Sequence, residues 1–221
     1  MRRLISPFFF WEGEWAMFDE RLRRWKDAAL MPLAHVVPVS PLALTLAGWG
    51  VGMAAVVCAW RGMFAWACAA WLVNRVLDAL DGAVARAQAR TSDLGGYVDI
   101  LADFSVYAFL PLALAAAHAS PRVWPALACL LASFYLNAAS WMYLAGVLEK
   151  RAAQTPRTTT LAMPAGLVGG VETFVFFTLF LLMPRFLVPL YWLMTALVFA
   201  TVVQRLLWAV RVLGGAQPAR K

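Results

Sequence analysis

The chain has 221 residues, 63% of them hydrophobic and 14% charged, and its 19 Lys and Arg against 12 Asp and Glu give a net charge of +7. A soluble domain is about half apolar and a quarter charged, so this composition excludes an ordinary soluble enzyme and points to one bundle of membrane helices. A basic balance suits nucleic acid or an anionic lipid surface; the long apolar runs exclude nucleic acid as the partner and select the membrane.

Residues 1–39 form the N-terminal segment. Its first apolar run is short and acids follow at once, so a cleaved leader is not expected and the first span serves as its own insertion signal. Phe18, Leu22 and Trp25 recur at helical spacing between Arg21, Arg23, Arg24 and Lys26. That pattern predicts an amphipathic interfacial helix on the inner leaflet. Pro32, Pro38 and Pro41 punctuate the entry to the membrane domain, residues 40–213, and residues 214–221 are a short tail.

A helix needs about 20 apolar residues to cross the hydrocarbon core. Six stretches meet that need: Leu42–Trp60, Met63–Leu80, Tyr97–Ala117, Trp124–Leu148, Leu167–Met183 and Phe186–Val203. The expected fold is therefore all-α and integral to the membrane, with six transmembrane helices. Arg61, Arg122 and Arg185 mark one side, and all the other loop and terminal basic residues the other. Positive charge stays inside, which places both termini and the Asp81–Gly96 connection in the cytoplasm. Cys58, Cys68 and Cys129 sit within apolar runs without metal-ligand spacing and read as small buried hydrophobes.

The informative segment is VLDALDGAVARAQARTSDLGGYVDILADF. Asp78 and Asp81 stand three apart at the inner end of the second span; Asp99 and Asp103 stand four apart at the inner start of the third. Both spacings put a pair of carboxylates on one helix face, and the short connection makes the two helices antiparallel neighbours. Acids near a span are costly and by default functional. Four facing carboxylates repel unless a cation sits among them. An all-oxygen set selects hard ions, magnesium or manganese, and two such ions about 3.5–4 Å apart suit phosphoryl transfer. Gly82 and Ala85 leave a small face beside Asp81, and Arg86 is able to pair with phosphate. Gly95 and Gly96 open the next helix with amides that can face an anion. Asn74 and Arg75, one turn from Asp78, either support the site or bond between helices.

The pattern Asp78-x2-Asp81-Gly82-x2-Ala85-Arg86-x8-Gly95-x3-Asp99-x3-Asp103 resembles, at all eight fixed positions, the signature of the CDP-alcohol phosphotransferases. The resemblance implies that Asp78, Asp81 and Asp99 ligate metal, with Asp81 and Asp99 bridging two ions. Asp103 would take the acceptor hydroxyl proton and also reach the second ion. Gly82, Ala85, Arg86 and Gly95 would line the CDP site. It further implies a CDP-linked lipid donor, most simply CDP-diacylglycerol, a small alcohol acceptor, CMP as leaving group, a role in phospholipid biosynthesis and a homodimer. A multi-pass protein of a bacterial inner membrane, its site facing the cytoplasm, is the expected setting. The family often carries Pro-Asn before a Thr in the first span; here Pro41-Leu42 precedes Thr45, and no first-span contact is carried over.

Lys150, Arg151, Arg157 and Arg205 are candidates for holding an acceptor phosphate, with positive-inside topology as the competing explanation. Glu172, beside Gly169 and Gly170, either recognises an acceptor group or pairs with Arg205 or Arg75. Two rivals stand beside the main reading. One is a CDP-aminoalcohol transferase acting on a lipid alcohol. The other is a divalent-cation transporter, which should carry its acids near the midplane and show repeated halves; this chain shows neither in sequence.

Overall fold

The structure is a computed structural model that describes residues 38–154 and 166–214, with Met31, Pro32, Ala34 and Val36 ahead of them. Among the described residues there is no strand. From Pro41 onward, the described residues form six helices in succession: α1 (Pro41–Trp60), α2 (Phe64–Ala87), α3 (Asp93–Ala116), α4 (Val123–Gln154), α5 (Gly170–Leu182) and α6 (Leu187–Leu213), with a 3-10 turn at Pro184–Phe186 before the last. The amphipathic segment around Phe18 to Trp25 lies outside the described residues, as does Arg157.

Four of these helices are long and apolar enough to cross a bilayer: α1, α3, α4, and α6 with its preceding turn. The other two depart from the expected pattern for different reasons. Helix α2 has 24 residues, but Arg75, Asp78, Asp81 and Arg86 interrupt its apolar run. Helix α5 has 13 residues, about 20 Å at 1.5 Å per residue, short of the ~30 Å hydrocarbon core. The sequence pattern ends the second span at Leu80, just before Asp81. The helix instead runs on to Ala87, because charged residues do not break a helix and the apolar face continues at helical spacing. Leu80, Ala83 and Val84 pack there with Leu44 and Ala34.

Local signals explain the ends. Ser40 caps α1, its Oγ accepting from Ala43 N–H at 3.3 Å, with Pro41 in the first turn. Ser92 caps α3 in the same way through Gly95 N–H at 3.0 Å. Helix α1 ends with Gly62 in the left-handed region (φ 71°) and Met63 N–H reaching back to Cys58 O at 2.9 Å, the six-to-one closure favoured at helix C-termini. Helix α2 closes identically, with Arg90 N–H on Ala85 O at 2.9 Å, but the left-handed position is Ala89 (φ 51°).

A stripe of small residues sets the closest packing. Thr45, Gly48, Gly52, Ala55 and Ala59 are all buried along one face of α1. At Gly52 a Cβ would stand 2.7 Å from Val106 Cγ2 of α3 and 3.0 Å from Asn74 Nδ2 of α2; at Gly48 it would stand 3.3 Å from Leu77 Cβ. With no side chain at these two positions, three backbones converge, as small residues permit in membrane bundles. The main core lies toward the other end. Trp71, Phe177, Phe180 and Tyr191 are fully buried there, and Tyr191 OH donates to Pro111 O at 2.7 Å. The acids thus sit where α1 begins, α2 ends and α3 begins, away from the aromatic core.

Candidate active site

Helix α2 carries Asn74, Asp78 and Asp81 along the face turned to α1 and α3, and α3 answers with Asp99 and Asp103. One carboxylate oxygen each from Asp78, Asp81 and Asp99 lie within 4.8 Å of one another. Asp81 is buried, and its Oδ2 accepts a 2.7 Å hydrogen bond from Thr45 Oγ1. Thr45, Gly48, Trp49, Asn74, Ala102 and all four aspartates line one cleft.

Asp103 shares the cleft but is held differently. Its Oδ1 accepts from Arg75 Nη2 at 2.7 Å and its Oδ2 from Tyr107 OH at 3.2 Å. Arg75 Nη1 in turn donates to Tyr107 OH at 2.9 Å and stands 3.7 Å from Asp78 Oδ2. Arg75 Nε donates to Asn74 Oδ1 at 2.9 Å, while Asn74 Nδ2 donates to Gly48 O at 2.8 Å. The guanidinium lies over the Trp71 ring, 4.8 Å from its centroid, and Trp71 Nε1 donates to Thr178 of α5 at 3.1 Å. One cation is therefore threaded from the core into an acidic site.

The remaining sequence candidates divide. Gly82 is close to Arg86: a Cβ there would stand 3.3 Å from Arg86 Nη1. Ala85 is half-buried and Arg86 exposed one turn beyond the acids. The free amides expected at Gly95 and Gly96 are taken, since both N–H groups donate to Ser92. Glu172 does not pair with Arg205 or Arg75. Its Oε2 accepts from Gly169 N–H at 2.8 Å at the start of α5, where a helix leaves amides without internal partners. Lys150 is exposed, and Arg151 sits 3.5 Å from the carbonyls of Val212 and Leu213 at the end of α6. Arg205 is buried, donating through Nη1 to Asn137 O at 3.2 Å and Oδ1 at 2.9 Å, while its Nε has no partner among the described residues. Gly166 approaches Arg205 and Thr201 so closely that a Cβ would collide with the threonine.

Sequence reasoning left out Thr45 and Trp49 of α1 and the phenol of Tyr107. The signal for Thr45 was its place in the small-residue stripe, one turn before Gly48. Tyr107 follows Asp99 and Asp103 at four-residue intervals on the same face.

The three clustered carboxylates fit a hard divalent ion. Oxygens bound to one magnesium at about 2.1 Å stand at most ~4.2 Å apart, so a spread of 4.8 Å closes with small side-chain rotations. Competing soft ligands are absent from the cleft lining.

The family model for CDP-alcohol phosphatidyltransferase matches residues 39–204, the whole of this architecture from Ser40 to the last turns of α6. The chain belongs to the CDP-alcohol phosphatidyltransferase family. It is also 32% identical over 173 residues to the inner membrane protein YnjF of Escherichia coli (strain K12), covering 76% of this chain and 81% of that protein. Membership implies a CDP-alcohol substrate, an alcohol acceptor and transfer of a phosphate-containing group, and the family uses divalent metals.

Proposed function

We propose that this protein moves the substituted phosphate of CDP-diacylglycerol onto a small polar alcohol, releasing CMP, in phospholipid biosynthesis. Asp78, Asp81 and Asp99 would hold two divalent ions, magnesium or manganese, and Asp103 would act as general base. The observation that carries this reading is the meeting of three carboxylates from two helices in one cleft, with a fourth beside them. When bound, the ions would offset diphosphate charge and stabilise the departing CMP.

The chain's own groups supply the rest. Thr45 fixes the Asp81 carboxylate from α1. Gly82, Ala85 and Arg86, on the turns that continue α2 past the acids, would receive the cytidine diphosphate, with Arg86 on a phosphate oxygen. Gly95 would keep the opening of α3 free of bulk. Asp103, whose two oxygens are already oriented by Arg75 and Tyr107, would accept the proton of the attacking hydroxyl. Arg205 is the best placed basic group for a phosphorylated acceptor, because it is buried and its Nε–H has no partner among the described residues; Lys150, Arg151 and Arg157 would add only to the field of that side.

The wider setting follows the same reading. Six spans are counted if α2 and α5 cross with the four apolar helices, the acids of α2 resting at the boundary. Residues 40–213 would form the catalytic unit, with the N-terminal amphipathic helix on the inner leaflet. The excess of basic residues on the acid-bearing side favours a cytoplasmic site, and the relative's name favours an inner membrane. A homodimer would match the resemblance stated from the sequence.

Detergent-purified protein with CDP-diacylglycerol, magnesium and a panel of alcohols should release CMP and yield a new lipid by mass spectrometry. Magnesium-dependent CMP release with no member of a broad panel would sink the reading; transfer only from a CDP-aminoalcohol to diacylglycerol would move it to the other branch of the class.

A further inference from the structure

We infer that Trp49 is a specificity-determining residue that recognises the lipid half of the donor, and that Ser105 is the positioning residue that aims its ring. The inference rests on the proposed CDP-linked glycerolipid donor and marks the point where that molecule leaves the acid cleft. Trp49 lines the cleft yet is 42% exposed, so its ring forms part of the rim. Its Nε1 donates to Ser105 Oγ of α3 at 2.9 Å, and that hydroxyl donates in turn to Ala102 O at 2.7 Å. With both hydrogens committed, the rim offers a flat apolar face held across α1 and α3.

The level of this ring along the bundle sets what it can meet. Helices α1 and α3 begin at the acid-bearing end and α2 finishes there. Trp49 is one turn past Thr45, about 6 Å farther from that end, and Ser105 is about 3 Å past Asp103. Arg86, on antiparallel α2, lies about 7.5 Å beyond Asp81 in the opposite direction. The proposed nucleotide wall and the indole therefore flank the carboxylates from opposite sides. A CDP-linked glycerolipid runs in line from nucleotide to diphosphate, acylated glycerol and tails. With its diphosphate at the acids and its nucleotide toward Gly82 and Arg86, its acylated glycerol reaches Trp49. An indole suits that level, where ester groups give way to hydrocarbon. A quaternary ammonium also favours aromatic faces, but within a cage of several rings. Among the described residues that line the cleft, Trp49 is the only aromatic one.

The test, in detergent with magnesium and an accepted alcohol, measures the KM for CDP-dioleoylglycerol and the inhibition constants of CDP and CDP-choline. Trp49→Ala should raise the lipid-donor KM about tenfold and leave inhibition by CDP within about twofold. Trp49→Phe, which keeps a ring, should raise that KM no more than about threefold. Ser105→Ala, which frees the indole N–H, should raise it about threefold with inhibition by CDP unchanged. Ser105→Ala leaves the ring in place and carries the same comparison where Trp49→Ala does not fold. Equal rises in the lipid KM and the CDP inhibition constant would make Trp49 a structural or nucleotide-binding residue and overturn the inference. CDP-choline that inhibits wild type more strongly than CDP, with the advantage lost in Trp49→Ala, would overturn it too, since the ring then serves an ammonium. A wild type that uses no CDP-linked glycerolipid removes the proposed function, and this inference falls with it. A wild type that uses one, with Trp49→Ala and Ser105→Ala indistinguishable from it, removes the role of Trp49 alone.

Discussion

Thr45 and Asp81 are joined across α1 and α2 by a 2.7 Å hydrogen bond from the threonine hydroxyl to the buried carboxylate. It is a charge-assisted contact to the most enclosed of the clustered acids. Such bonds contribute about 1.5–3 kcal/mol. Thr45→Val, which keeps shape but removes the donor, is expected to lower CMP release about tenfold and raise the magnesium concentration needed for half-maximal rate. Thr45→Ser should recover most of it. A valine variant with an unchanged magnesium curve would show that Asp81 needs no such support.

Asp103 is the acid whose loss should separate chemistry from binding. A positioned general base contributes about 10²–10⁴ in rate, so Asp103→Asn is expected to cut kcat by that range while donor affinity stays within about twofold. The check is single-turnover CMP release beside equilibrium binding of the CDP-linked lipid. Retained turnover would remove the base assignment.

Two glycines of α1, two residues apart, should respond in opposite ways. A Cβ at Gly52 meets Val106 and Asn74, whereas one at Gly50 meets nothing within 4 Å. Gly52→Ala is expected to destabilise by about 1–3 kcal/mol through overpacking, seen as a lower unfolding temperature in detergent. Gly50→Ala should be neutral or mildly stabilising, since alanine is the better helix former. Equal melting of the two variants would contradict the packing of α1 described above.

Arg205 and Arg151 are both acceptor candidates in the sequence, Arg205 the better of them for lying within an apolar stretch, and they are not equivalent in place. Arg205 is buried against Asn137, whereas Arg151 lies by the carbonyls that end α6, where a cation complements the helix dipole. Arg205→Gln should raise the KM of a phosphorylated acceptor about tenfold and leave the donor KM alone. Arg151→Ala should change neither. A rise in both KM values for Arg205→Gln would make it a structural residue.

The acid motif was legible because spacing alone decides which helix face a side chain shares. Asp78 and Asp81, and Asp99 with them, meet as their intervals imply. What spacing could not show is that Asp103, though four residues from Asp99, is drawn to a cation on α2 rather than to its fellow acids. Arg75 was visible as a neighbour of Asp78, but its reach to Tyr107 depends on how α2 and α3 are rotated together. That rotation is set by Gly48 and Gly52, whose small size carries no chemical signal of its own. Helix lengths were less legible for a similar reason. Charge at Asp81 reads in sequence as an end, while the buried Leu80, Ala83 and Val84 carry the helix onward. Glu172 showed a polar group in an apolar setting, yet only the fold reveals that a backbone amide at Gly169 is what it serves.

Every side chain of the acidic cleft falls between Thr45 and Asp103, and the clamp that orients the last of them ends at Tyr107. Translation therefore delivers the complete set before α4 has been made. Contacts between near neighbours in sequence form quickly, since little chain entropy is lost in closing them. The later helices then complete a shell around a chemical centre that the first three already contain, with Trp71 waiting for its partner on α5. The order of synthesis is thus the order in which these contacts first become possible.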